Sequence, residues 1–210
     1  MSSNKLSLTR LWAVGSVLVA FGTFGYYAID GLIDDSQGGS HLVNSFYCSV
    51  ITLTTVGYGD ICPGDMDDLG RLFVVALSFG GLGFFCGPVM DAASSWSRRI
   101  PGGAFGPAVF ALYCGTLLFV HIEGMDIQRA LYCAFITGTT TGYGDLSPKT
   151  DAGRVLTAFY AVVAVNVIGG LLEPARGYLT SICIPKNIDD GDLLKDIKNK
   201  ANKKSKKKQS

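Results

Sequence analysis

The strongest constraint on this chain is a seven-residue glycine motif that occurs twice. It reads TTVGYGD at 54–60 and TTTGYGD at 139–145, an offset of 85 residues. The match extends upstream, because Tyr47-Cys48 recurs as Tyr132-Cys133 and Ile51-Thr52 recurs as Ile136-Thr137. A repeat of this length in a chain of 210 residues predicts two copies of one structural unit.

The composition and the apolar runs favour a membrane protein. Charged residues make up 17% of the chain, whereas a soluble domain usually carries about 25%. Uncharged runs long enough to cross a bilayer lie at 11–28, 72–90, 105–122 and 155–172. The segments that precede the motifs, 42–54 and 127–139, are too short to span and suit re-entrant helices. We therefore expect an all-α integral membrane fold with four transmembrane helices and two re-entrant pore loops.

These segments divide the chain into two repeats, a linker and a tail. The first repeat covers 1–91 with its pore loop at 41–60, and the second covers 105–173 with its pore loop at 126–145. The linker (92–104) contains Arg98 and Arg99, and the tail (174–210) contains a lysine-rich run at 195–208. Basic residues favour the cytosolic side of a membrane. We therefore expect a multi-pass protein with both termini and the linker in the cytosol.

The repeated motif is suited to binding a dehydrated cation. Glycines that alternate with bulkier residues allow successive backbone carbonyls to point the same way, and rings of carbonyls can replace the water shell of a cation. The two re-entrant helices would direct their negative C-terminal ends at the same place. Asp60 and Asp145 would concentrate cations at the outer mouth. Two loops cannot surround an ion, so we expect two chains to form one pore.

The paired motifs, in the order span–pore–span–span–pore–span, resemble the two-pore-domain potassium channel family over about 11–172. The resemblance is to the plant-type members, because 30–40 leaves no room for a long cap segment. It implies a non-enzymatic, potassium-selective channel with passive conduction through a homodimeric, pseudo-fourfold pore. Potassium would be the permeant ion, with no other cofactor. Its carbonyl ligands would come from two filter strands: Thr55, Val56, Gly57, Tyr58 and Gly59, and Thr140, Thr141, Gly142, Tyr143 and Gly144.

Some features leave more than one interpretation open. Gly80, Gly81, Gly169 and Gly170 suit either hinges or close helix packing. The lysine-rich run is a candidate site for anionic lipid, although a solvated tail is favoured because no apolar helical face accompanies it. Thr141 replaces the aliphatic residue usual in the family, which we expect to affect filter rigidity or selectivity.

Two other classes of function compete with a conducting channel. The first is a non-conducting regulatory subunit of a potassium channel, which the two intact motifs disfavour. The second is a phosphate-binding enzyme or transporter, which would need a basic residue beside the glycine loop, where both copies have an aspartate. No nucleic-acid partner is expected. The sequence leaves open whether the membrane is plasma or vacuolar, and whether the dimer is homomeric.

Overall fold

The computed structural model describes residues 8–62, 64–85, 89 and 105–183, with the side chains of 171–183 left undescribed. The predicted linker, the end of the predicted span at 72–90 and the lysine-rich run lie outside these residues. The chain divides into a compact unit Met1–Leu171, to which the following description refers, and a second unit, Leu172–Ser210. Within the described residues the regular structure is entirely helical, which confirms the all-helical expectation.

In the described residues, six α-helices form two successive sets of three. They are α1 (Leu8–Ala28), α2 (His41–Leu53), α3 (Asp68–Phe84), α4 (Phe105–Glu123), α5 (Ile127–Gly138) and α6 (Asp151–Cys183). A short 3₁₀ turn, Asp35–Gln37, precedes α2. The first glycine loop (54–60) follows α2, and the second glycine loop (139–145) follows α5. Each set is thus a long helix, a short helix, a glycine loop and a second long helix.

The helices after the glycine loops begin earlier than the apolar runs predict. Asp67 caps α3 by accepting a hydrogen bond from the amide of Gly70. Thr150 accepts the equivalent bond from Gly153 just before α6. A capped first turn is polar, so a search for uncharged runs misses it. α6 also continues through Pro174 to Cys183, beyond the predicted end at 172.

Three helices in the part of the chain that the structure describes are long and apolar enough to cross a membrane. The qualifying segments are Thr9–Ala28, Phe105–Glu123 and Asp151–Gly170. The described part of α3 has 17 residues, which is at the lower limit for a span. Many large apolar side chains on these helices are exposed, including Phe24 on α1 and Phe110 on α4. Such faces fit a lipid environment.

The two short helices lie at the centre of two apolar clusters. The first cluster surrounds α2 and includes Tyr47 and Ile51, together with Ala161 and Val165 of α6. The second surrounds α5 and includes Cys133 and Ala134. The buried face of each short helix packs in its cluster, which fixes the helix and with it the glycine loop at its C-terminal end.

Candidate functional site

The backbone of the two glycine loops has the same unusual conformation. Three alternate residues in each loop have positive φ, a region that residues other than glycine rarely adopt. The values are 60° at Thr55, 55° at Gly57 and 71° at Gly59, and 55° at Thr140, 46° at Gly142 and 73° at Gly144. Two glycines in each loop meet this requirement without strain. Thr55 and Thr140 adopt it at a cost of about 1–3 kcal/mol each, so the surrounding structure must enforce it.

Hydrogen bonds to the short helices set the direction of the loop carbonyls. The amides of Val56 and Gly57 both donate to the carbonyl of Ile51, at 3.1 and 3.2 Å. The amides of Thr141 and Gly142 both donate to Ile136, at 2.9 and 3.2 Å.

In a trans peptide the N–H and the C=O point in opposite directions. The carbonyls of Thr55 and Val56 therefore point together away from α2, and those of Thr140 and Thr141 point together away from α5. Each loop thus presents a row of carbonyl oxygens.

Side chains behind the first loop hold it in place. Val56 and Tyr58 are buried, and the Tyr58 ring stacks on Tyr47 of α2 with centroids 6.3 Å apart. The Tyr58 hydroxyl is hydrogen-bonded to the hydroxyl of Thr137, which belongs to α5 of the other set. The first loop is therefore fixed by both short helices.

The two aspartates that end the motifs are tied to tyrosines of the short helices. Tyr47 donates to Asp60 at 3.2 Å, and Tyr132 donates to Asp145 at 3.1 Å. The tyrosines lie at equivalent positions, 85 residues apart. Sequence reasoning did not assign them this role, although their recurrence beside the motif was visible. The bonds hold each carboxylate at the end of its carbonyl row.

The second loop lies against one side of the first. A Cβ atom at Gly142 would overlap the carbonyl oxygen of Val56, and one at Gly144 would overlap that of Tyr58. The glycines of the first loop have no such neighbour: no atom lies within 4 Å of a Cβ at Gly57, and the nearest at Gly59 is 3.9 Å away. One side of the first loop is therefore covered by the second loop, and the other side is open.

Equivalent side chains in the two sets differ sharply in exposure. Tyr58 is 4% exposed and its counterpart Tyr143 is 70% exposed. Val50 is 3% exposed and its counterpart Phe135 is 52% exposed. In the first set these positions are covered partly by the second set, as the contact of Tyr58 with Thr137 illustrates. The second set thus presents a surface equivalent to one that is covered in the first.

A buried arginine that sequence reasoning missed connects the two sets. Arg154 of α6 is 1% exposed. Its guanidinium donates to the carbonyl of Gly38 and the side-chain oxygen of Asn44, each at 2.7 Å, and to the carbonyl of Gln37 at 3.2 Å. Asp151 lies 3.8 Å from the same group. Arg154 therefore fixes the start of α2 against α6.

The glycines considered as hinges differ in their surroundings. A Cβ at Gly81 of α3 would overlap the backbone of Leu53, at the end of α2. At Gly80 the nearest atom is 3.8 Å away, and none lies within 4 Å at Gly170. Gly169 lies in α6 beside Gly170. Gly81 thus provides close helix packing, and the role of all four residues as hinges stays a prediction.

Comparisons with known proteins give a consistent set of relatives. The family model described as "Ion channel" matches residues 13–95 and 108–181. Two-pore potassium channel 1 of Arabidopsis thaliana is 26% identical over 190 residues, covering 75% of this chain and 51% of the relative. Two pore potassium channel b of Oryza sativa subsp. japonica is 28% identical over 182 residues, covering 74% and 52%. Potassium channel subfamily K member 17 of Homo sapiens is 33% identical over 132 residues, covering 52% and 39%.

The two matched segments contain the two glycine loops, one in each. The chain spans about half the length of the plant relatives that it matches.

Proposed function

Because the chain belongs to the ion channel family, both of whose matched segments contain a glycine loop, we propose that it forms a potassium-selective channel. Potassium would pass down its electrochemical gradient without any chemical step. The family is one of ion channels and not of enzymes. The resemblance to two-pore-domain potassium channels predicted from the motifs is confirmed by relatives that carry that name.

The observation that carries this proposal is the row of carbonyl oxygens in each glycine loop. Carbonyls that point the same way can replace the hydration shell of a cation in single file. The paired amide bonds to Ile51 and Ile136 turn the carbonyls away from the short helices. The C-terminal ends of α2 and α5 add a negative dipole at the loops, which favours a cation. The filter strands would be 55–59 and 140–144.

A second copy of the chain would complete the pore. Within one chain, the second loop covers one side of the first, and the glycines Gly57 and Gly59 face open space. A repeat of the same contact would place the second loop of a partner against these glycines. The exposed Tyr143 fits this arrangement, because its counterpart Tyr58 is buried in the equivalent contact. A ring of four loops, two from each chain, would be closed by repeats of this contact. The result is a homodimer with pseudo-fourfold symmetry around the ion.

In this channel α1, α3, α4 and α6 would cross the membrane, and α2 and α5 would be re-entrant. Non-helical backbone at membrane depth is tolerated where it lines a water-filled path, which is the position proposed for the glycine loops. The basic linker and the lysine-rich run support a cytosolic location for both termini.

The test is the reversal potential of the purified full chain in liposomes under opposed potassium and sodium gradients. We expect a value near the potassium equilibrium potential. Gly142→Ala should abolish selective current, because its Cβ would overlap the Val56 carbonyl. The matched control is Gly83→Ala in α3, where no atom lies within 4 Å of the added Cβ, and it should retain selectivity.

Each other outcome has a definite meaning. Equal permeation by sodium would show that the carbonyl rows do not form a selective filter. A wild-type chain that is inserted and folded but passes no current would favour a non-conducting regulatory subunit. A monomer, measured by counting subunits in single liposomes, would contradict the completion of the pore by a second copy.

A further inference from the structure

A hydroxyl pair links the first long helix to the first short helix, behind the glycine loops. The Tyr26 hydroxyl of α1 lies 2.8 Å from the Thr52 hydroxyl of α2. Tyr26 is buried, and its ring packs edge-on against Phe73 of α3, with centroids 5.8 Å apart. The tyrosine is therefore held in position by packing, and its hydroxyl fixes Thr52 to α1.

The counterpart of Thr52 in the second set has a different partner. Thr137 lies 85 residues later and is hydrogen-bonded to the hydroxyl of Tyr58 in the first glycine loop. If the same contact is repeated between two copies of the chain, Thr52 faces Tyr143 of the partner subunit. Both groups are accessible for it, because Thr52 is only half-buried and Tyr143 is exposed in the single chain.

We propose that Thr52 joins Tyr26 to Tyr143 of the partner subunit in one hydrogen-bonded relay. Tyr26 is then a positioning residue for the second glycine loop of the partner. The relay rests on the proposed homodimer. It is chemically consistent, because a threonine hydroxyl has two acceptor lone pairs and can accept a hydrogen bond from both tyrosines.

In the described part of the second set, the hydroxyl of Thr137 has different partners. It bonds to the hydroxyl of Tyr58 and to the carbonyl of Cys133, and neither belongs to α4. Phe119, a buried aromatic residue of α4, packs edge-on against Tyr160 of α6 with centroids 6.1 Å apart and has no hydroxyl. Two of the four loops in the pore would thus be linked through a threonine hydroxyl to a first long helix, and two would not.

The loop that receives the relay carries a hydroxyl where the first loop has an aliphatic side chain. Val56 of the first loop packs in the apolar cluster around α2, whereas Thr141 at the same position of the second loop bonds to the Thr139 hydroxyl at 2.9 Å. A hydrogen-bonded anchor at Tyr143 would add a fixed point to the loop that lacks the aliphatic side chain. Movement of α1 would then alter the conformation of the partner's second loop before that of the partner's first loop. The change in this loop would alter whether the filter is open.

The first experiment compares single-channel open times of the full chain with those of Tyr26→Phe. This substitution removes only the hydroxyl. A buried hydrogen bond contributes about 1 kcal/mol net, so we expect the mean open time to change by about fivefold. The control is Tyr160→Phe, which removes another buried tyrosine hydroxyl, one that donates to the Ala134 carbonyl at 3.0 Å. The control should change the mean open time by less than about twofold relative to the wild type.

The second experiment is a double-mutant cycle between Tyr26→Phe and Tyr143→Phe. The measured quantity is the detergent concentration at the midpoint of dimer dissociation. This readout does not need conduction. The relay predicts that the two effects are not additive, because both tyrosines act on Thr52. A chain that dimerises and conducts, but whose cycle is additive and whose open times are unchanged by Tyr26→Phe, would overturn the relay alone. A monomeric chain would overturn both the relay and the homodimer.

Discussion

Replacing Arg154 by methionine tests how strongly the two sets are connected. Methionine retains the length of the arginine stem but removes the donor to the Asn44 side-chain oxygen and to the Gln37 carbonyl. The Gly38 carbonyl loses one of two donors and keeps the Asn44 side-chain amide. Removing the donor of a buried hydrogen bond leaves its acceptor unsatisfied, which costs about 1–3 kcal/mol for each group. The three hydrogen bonds share one guanidinium and are not additive. We therefore expect a loss of about 3 kcal/mol in the free energy of unfolding.

The chain contains a matched control at the equivalent position of the first set. Arg71 lies in the first turn of α3, as Arg154 does in α6, and pairs with Asp68 at 2.7 Å. Both groups of this pair are largely exposed, and exposed pairs contribute about 0–1 kcal/mol. Arg71→Met should therefore cost about 1 kcal/mol or less.

The assay is titration of the purified full chain with a denaturing detergent in mixed micelles, followed by circular dichroism. Arg154→Lys should fall between the wild type and Arg154→Met, because one ammonium cannot reproduce the planar set of donors. Equal losses for Arg154→Met and Arg71→Met would refute the reasoning, since burial would then have no effect on the contribution of the charge.

Two further predictions concern packing and pH. Gly81→Ala should destabilise the chain and separate α3 from the end of α2, since the added Cβ overlaps the Leu53 backbone, whereas Gly83→Ala should be neutral in the same unfolding titration. Hydrogen bonds from the hydroxyl and the amide of Ser36, and a weaker one from Gln37, lower the pKa of the Asp34 carboxyl. The 3₁₀ turn is therefore stabilised at pH values above the ordinary aspartate pKa of about 3.9 and loses this support only as pH falls through the lowered value. Carbon-13 titration of Asp34 should show a raised pKa in Ser36→Ala, and an unchanged value would contradict this assignment.

The apolar runs were sufficient to predict the helical fold, and the repeated motif was sufficient to predict the ion channel family and the position of each glycine loop. The loops are predictable because glycine spacing, a local property, determines the backbone conformation that they can adopt. Arg154 was not predictable for the opposite reason. The segments Asp68–Arg71 and Asp151–Arg154 share the pattern Asp-x-Gly-Arg, yet one arginine is exposed and the other is buried.

Long-range contacts explain that difference. The partners of Arg154 lie more than a hundred residues earlier in the chain, at Gln37, Gly38 and Asn44. The same limit applies to the glycines of α3. Gly81 and Gly83 are two residues apart in one helix, and only the approach of Leu53 makes the first of them essential for packing. A local pattern carries no information about such neighbours.

The two sets are alike in the backbone of their glycine loops and differ behind the loops. Positive φ values recur at the same three positions of each loop, so the carbonyl rows are equivalent even though Val56 is replaced by Thr141. Behind the loops, Thr52 bonds to Tyr26 of α1 whereas Thr137 bonds to Tyr58, and Asn44 has Arg129 as its counterpart. A permeating cation contacts the carbonyls and is indifferent to the side chains that support them. In the proposed channel, both sets therefore contribute equivalent carbonyl ligands, but only in the first set does the threonine of the short helix bond to the first long helix. The Tyr26→Phe experiment measures this difference.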